Sequence, residues 1–214
     1  MNHSIIKLES LLKKHNMEAA IISKKSNIRY FSGFTSEDVI LLILLEARYL
    51  ITDFRYIEQA ELQCPDFQII DAAGPKTAPF INETLTSSGI KKVWFEDNST
   101  SFRSFSNYKD TLQKGIQLIP DKDMISSLRI IKSPDEVNCI REAAALSDKG
   151  FFHILDYIRP GISEQDLALE LEFFLRKNGS EGLAFPIIAA SGENGSLPHA
   201  EPSSRKLKNG EFLT

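Results

Sequence analysis

Short apolar runs alternate with amphipathic stretches over about the first 130 residues of the chain. Residues 19–23 (AAIIS), 39–45 (VILLILL), 49–53 (YLITD), 67–71 (FQIID), 92–97 (KVWFED) and 116–120 (IQLIP) have the length and β-branched content of buried strands. Between them the apolar positions take a helical period over 5–15, 55–63, 78–87 and 101–114. Alternation of this kind predicts an α/β layered domain with its sheet covered on both faces. Only Glu46 and Ala47 separate the 39–45 run from a strand at 48–52, too few for a crossover helix, so these two form an antiparallel hairpin.

The pattern changes after the 128–133 stretch, where the domain boundary falls, giving domains over 1–130 and 134–214. Ser133 is a good N-cap, Pro134 suits the first helical position, and Glu136 completes a capping box. Apolar residues from Val137 to Ile158 keep the helical period until Pro160 and Gly161 end it. Ser163 and Asp166 repeat the signal for a helix running to Gly179, with Arg176 and Lys177 where its dipole favours cations. Packing on a sheet accounts for the apolar residues of both helices. Residues 184–192 (AFPIIAASG) read as a strand entering a turn, and Phe212 and Leu213 read as the opening of another.

Composition keeps this picture ordinary. Of 214 residues, 42% are hydrophobic and 25% charged, the mixture of a folded globular protein. The net charge of −4 and the scattered pairs Lys13–Lys14, Lys24–Lys25 and Lys91–Lys92 do not point to nucleic acid. Cys64 and Cys139 fit no metal or CxxC pattern and read as free thiols of a reducing compartment. The first residues show helical spacing rather than a secretory signal, and the longest apolar run, 39–45, is too short to cross a bilayer, so the expected location is the cytoplasm with no membrane partner.

The usual motifs of dinucleotide, phosphate-loop, serine-hydrolase and zincin chemistry do not occur. His3, His15 and His153 fall where a structural role explains them. His199 differs, because it follows Pro198 in a Gly- and Asn-rich loop where a stiff neighbour holds a side chain open to a ligand. Position alone also fits a solvated loop histidine. The paired acids Asp135–Glu136 and Glu170 with Glu172 read as solvated helix surface, and no His, Asp and Glu cluster has the density of a metal site.

Several segments in order resemble the Xaa-Pro peptidases, the prolidase and aminopeptidase P group of pita-bread metallopeptidases whose N-terminal domain is shared with creatinase. They are NIRYFSGFTS (27–36), YLITDFRYIEQA (49–60), LRIIKSPDEVNCIREAAALSDKGF (128–151) and nearly everything from PGISEQDLALELEFFLRKNG (160–179) through SGENGSLPHAEPSSRKLKNGEFLT (191–214). The resemblance implies a creatinase-like α/β domain followed by the first half of a pita-bread (α+β) catalytic domain. It implies hydrolysis of the bond before proline, in a dipeptide or a longer peptide, by two divalent ions (Mn, Co or Zn) in a complete member. His199 matches the family histidine that holds substrate and developing charge without binding metal, and Phe185 would line the same cleft. The family's metal ligands follow the segment matching 210–214, so no metal site is expected from these residues, which read as the inactive front part of a longer enzyme. Other readings are a non-catalytic peptide-binding or dimerisation module and a creatinase-like amidinohydrolase using His199. Ser36 stands where the family usually has Gly. A homodimer is expected, through apolar surface left open at 184–190 and 167–175, with Arg55 and Tyr56 as candidates to reach a partner's cleft.

Overall fold

The computed structural model describes residues 3–36 and 38–214, divided into two units between Ile131 and Lys132. In the first, α1 (His3–Lys14), β1 (Ala19–Ile22), α2 (Lys25–Ser32), β2 (Ile40–Leu44), β3 (Arg48–Thr52) and α3 (Ile57–Gln63) are followed by β4 (Gln68–Asp71), α4 (Thr77–Ser87), β5 (Lys92–Phe95), α5 (Phe102–Thr111), β6 (Gln117–Pro120) and α6 (Met124–Ser127). The strands form a six-stranded sheet in the order β4-β3-β2-β1-β5-β6. β2 pairs antiparallel with both β1 and β3, while the β1–β5, β3–β4 and β5–β6 pairs are parallel. The expected hairpin is β2–β3, in register from Ile40↔Ile51 to Ile43↔Arg48.

Side chains alternate across a strand, so a sheet buried on both faces needs unbroken apolar runs. Along β1, Ala20 and Ile22 enter a core with Ile5, Leu8 and Leu12 of α1, Phe31 of α2 and Ala60 of α3. Ala19 and Ile21 face the opposite core, with Ala78, Ile81 and Leu85 of α4 and Tyr108 of α5. The expected strands are present with one or two end residues trimmed or added. The helix expected over 101–114 stops at Thr111, because Leu112 turns extended and the Gln113 N–H donates to Asn82 Oδ1 at 2.7 Å. Helices α2 and α6 were not anticipated. Cys64 is buried and Cys139 exposed, both as free thiols. No helix among the described residues is long and apolar enough to cross a membrane.

The second unit is built on α7 (Pro134–Leu155) and α8 (Glu164–Lys177), each opened by the expected capping box, from Ser133 and Ser163. They meet at Gly150, where a Cβ would lie 2.9 Å from Leu175 Cδ2 and 3.2 Å from Leu171 Cδ1, so any larger residue would have to push these leucine ends aside. His153 seals the seam, its Nε2 2.7 Å from Glu170 Oε1 and its ring stacked on Phe174 at 4.0 Å between centroids. Glu170 is thus a contact of α7 rather than solvated surface. The expectation that both helices lie on a sheet fails within this unit. Ile140, Phe151, Phe152, Leu169 and Phe173 are exposed, and the pairing among its described residues consists of isolated bridges, Ser163↔Lys206 and Ser191↔Leu213. Residues 184 and 185 form a bend, and 186–190 take no regular secondary structure. The expected strand therefore reduces to one pairing step, in which Ala190 and Thr214 exchange N–H···O bonds at 2.9 Å.

Candidate functional site

The loop that carries His199 is organised by Glu164, the first residue of α8. The Ser163 capping box fixes the entry of the helix, and the free N–H groups of its first turn are taken by the loop: Glu164 N–H donates to Arg205 O and Gln165 N–H to Ser203 O, both at 3.1 Å. This brings 203–207 alongside 161–165, with Gly161 N–H on Leu207 O and Leu207 N–H on Ile162 O at 2.9 Å each.

Glu164 is fully buried, yet both carboxylate oxygens are saturated. Oε1 accepts the Ser191 N–H at 2.6 Å, the Ser191 hydroxyl at 2.8 Å and the Asn194 amide at 3.1 Å. Oε2 accepts the Ser203 hydroxyl at 2.6 Å, the Ser203 N–H at 3.1 Å and the same Asn194 amide at 3.1 Å. Burial works to raise its pKa, but the hydrogen bonds from Ser203 and Ser191 outweigh it and bring the carboxyl down to about 2. Both feet of the arch 195–202 are therefore bolted to one charge.

A second clamp closes beside it. Arg205 donates from Nη1 to Ser191 Oγ at 2.7 Å and forks onto Glu211, with Nη1–Oε2 at 2.8 Å and Nη2–Oε1 at 2.6 Å. The fork holds the Glu211 carboxyl below its ordinary range. Gly192, at φ 53°, makes room for it: a Cβ there would lie 2.5 Å from Arg205 Nη2. The clamp leads 211–213 back along 190–192, where the Gly192 N–H donates to Phe212 O at 2.9 Å.

His199 sits at the top of the arch, exposed, with no hydrogen bond or ion pair among the described residues, next to buried Ala200. Phe185 is 67% exposed, at a bend ahead of the residues leading to Ser191. Both sequence-derived site residues thus face solvent in the same unit, and no hydrogen bond or ring contact joins them. A small cavity of about 210 Å³ lies under the Arg205 clamp, lined by Ile158, Ser191, Leu207, Glu211 and Phe212 among others, and neither His199 nor Phe185 borders it. Glu164, Ser203 and Arg205, which hold the loop in place, carry no local sequence signal that marks them.

In the first unit, a cleft of about 480 Å³ opens at the ends of β3 and β4 beside Asp38, Asp53 and Arg55. Arg55 is engaged within its own unit, by Asp53 (Nε–Oδ1 2.9 Å, Nη2–Oδ2 2.6 Å) and by Asp38 at 3.3 Å, with its guanidinium 5.2 Å from the Tyr56 ring centroid. Among the described residues no group of three or more His, Cys, Asp or Glu could hold a metal ion.

The Creatinase/Prolidase N-terminal domain family matches residues 5–131, and metallopeptidase family M24 matches residues 138–214. The uncharacterized peptidase YqhT of Bacillus subtilis is 36% identical over 97% of this chain and 58% of its own length. Among solved structures, the Xaa-Pro dipeptidase from Bacillus anthracis is 34% identical, with a TM-score of 0.89 over 98% of this chain and 58% of that one. The X-Pro aminopeptidase from Thermotoga maritima is 30% identical, with a TM-score of 0.88 over 100% of this chain and 60% of that one. The chain thus spans 58% to 60% of the length of these relatives.

Proposed function

This chain belongs to the Xaa-Pro peptidase family, in which a creatinase/prolidase N-terminal domain precedes an M24 metallopeptidase domain, and from that premise we propose that it serves hydrolysis of the peptide bond before proline. Its second unit carries part of the family's pita-bread fold. Complete members of the family use divalent metal ions. The described residues do not fit such a centre, since they hold no group of three or more metal-ligating side chains, so no step is assigned to metal here. The reading gives them the substrate side of the site and takes residues 1–214 by themselves as inactive.

The observation that carries this reading is the arch whose two feet share the Glu164 carboxylate while His199 is left exposed and unpartnered. Anchoring of this kind supports a preorganised ligand contact, because the loop has already lost the freedom that binding would otherwise remove. In this reading a ring N–H of His199 donates to the carbonyl oxygen of the scissile bond and binds it more tightly as negative charge develops there. The Phe185 ring offers an apolar wall to the proline. The two free thiols support a cytoplasmic location.

The test is hydrolysis of Xaa-Pro dipeptides and longer Xaa-Pro peptides by the natural protein at its intact mass, with manganese, cobalt or zinc supplied. His199→Ala is expected to lower kcat about 100-fold or more, with an unchanged unfolding midpoint because the side chain makes no partner. A kcat within about twofold of wild type removes His199 from the reaction. Saturable binding of proline peptides without turnover supports a peptide-binding module instead. We further propose a homodimer, supported by the exposed Phe151, Phe152, Leu169 and Phe173. Light scattering at micromolar concentration is expected to give twice the 24.1 kDa of one chain, and a single-chain mass overturns it.

A further inference from the structure

Three acidic side chains converge where β5 and β6 end. Asp121, directly after β6, is 2% exposed. Its Oδ2 accepts the Ile125 N–H at 3.0 Å, but its Oδ1 is buried and meets no donor. A buried carboxylate oxygen without a donor is expensive, more so beside other negative charge. Glu96, at the end of β5, is 1% exposed. Its oxygens are committed to the Ser23 N–H at 2.7 Å, the Lys24 N–H at 2.6 Å and the Asn27 amide at 2.5 Å. Asp97, next in sequence, accepts the Lys122 N–H at 3.0 Å while the Asp121 N–H donates to Phe95 O at 3.0 Å, which sets the two acidic residues side by side on neighbouring strand ends.

The cations around this point are directed elsewhere. Lys24 Nζ reaches Ser126 Oγ at 3.3 Å, and Arg129 Nη1 reaches Ser26 Oγ at 2.7 Å and Asn27 Oδ1 at 3.2 Å. On the turn itself Lys122 is exposed, and Asp123 accepts from Asn98. Protonation would turn Oδ1 from an acceptor without a donor into a donor.

We propose that Asp121 is protonated in the folded chain and that its Oδ1–H donates to the Asp97 carboxylate, forming a carboxyl–carboxylate latch across the ends of β5 and β6 that opens as pH rises. On opening, the O–H bond breaks, the proton passes to water, and Asp121 and Asp97 are left as two adjacent anions beside Glu96. Burial is the largest influence on the group; the Ile125 N–H pulls the other way, Glu96 and Asp97 add to burial, and the carboxyl is pushed up to about 6 from an ordinary 3.8. A carboxyl raised in the folded state contributes stability that is complete below its unfolded pKa and lost as pH climbs through the folded one. This contribution to the first unit is therefore complete below about pH 4 and is lost as pH climbs from there through about 6.

Carbon-13 NMR titration of the Asp-labelled 214-residue chain tests this, together with thermal unfolding at pH 5 and pH 8. One carboxyl resonance is expected to titrate near pH 6 and to be missing in Asp121→Asn, whose amide can still accept from Ile125 and donate to Asp97. The wild-type Tm is expected to fall from pH 5 to pH 8 by about 5 °C more than that of Asp121→Asn. Asp97→Asn is expected to lower the Asp121 midpoint by about one unit, because an anion is replaced by a neutral donor. The proposal is overturned if every Asp carboxyl titrates below about pH 5, or if wild type and Asp121→Asn share one pH dependence. Should Asp121→Asn not fold, an unmoved midpoint in Asp97→Asn overturns it alone.

Discussion

Replacing Glu164 by Ala is expected to destabilise the second unit by about 3–5 kcal/mol, the scale of removing one member of a buried, fully hydrogen-bonded charged group. The substitution strands the N–H groups of Ser191 and Ser203, both their hydroxyls and the Asn194 amide, donors that converge on this one carboxylate. It also removes a negative charge from the start of α8, where the helix dipole favours one. Glu164→Gln keeps the shape but turns an amide NH2 toward donors, so about half the loss is expected. Urea unfolding, with amide exchange at Ser191 and Ser203 as the local readout, checks both; a wild-type midpoint in Glu164→Ala would remove the residue from the anchor. The pH response has a definite sign. A carboxyl lowered to about 2 in the folded state from an ordinary 4.5 supplies stability that is complete above 4.5 and lost as pH falls through that interval. Glu164→Gln is expected to flatten that acid limb.

The second large effect belongs to the first unit. Glu96→Ala is expected to lower its stability by about 3 kcal/mol, since the buried carboxylate takes the N–H groups of Ser23 and Lys24 at the start of α2 and the buried Asn27 amide. Asn27 is then left with an unmet donor, and the α2 N-terminus, where Lys24 supplies no side-chain cap, loses its anion. Trp94, two positions before Glu96 in β5 and the sole tryptophan, reports unfolding of this unit by fluorescence. With total stabilities of about 5–15 kcal/mol for a domain, such a loss shifts the denaturant midpoint strongly. An unshifted midpoint would mean that water replaces the carboxylate without penalty.

The sheet is readable because its central strands β1, β2 and β5 are buried on both faces and so declare themselves as apolar runs, while the partly exposed edge strands β4 and β6 keep short apolar pairs. Helix α2 is not. It has no side-chain N-cap and spans little more than two turns, and its Ile28 and Phe31 spacing was the signal available. The anchor under His199 was illegible for a different reason. Glu164 reads as an ordinary acidic residue in a first helical turn, and its partners Ser191 and Ser203 lie 27 and 39 positions away. No local period encodes such contacts. The paired acid Glu170 was misread similarly, because its partner His153 belongs to another helix. For 184–190 the composition predicts a strand, but a ladder needs a neighbour, and among the described residues the pairing begins only at Ala190.

The two cysteines differ in a way that turns them into a chemical clock. Cys139 is exposed on α7, whereas Cys64 is buried behind α3 and burial pushes its thiol pKa up. Alkylating agents act on thiolates that they can reach. In the native chain Cys139 is therefore modified at a rate set by the reagent, and Cys64 at a rate set by how often its surroundings open. The ratio of the two rates, read from one sample by mass, measures opening of the first unit with the second unit's thiol as its internal standard.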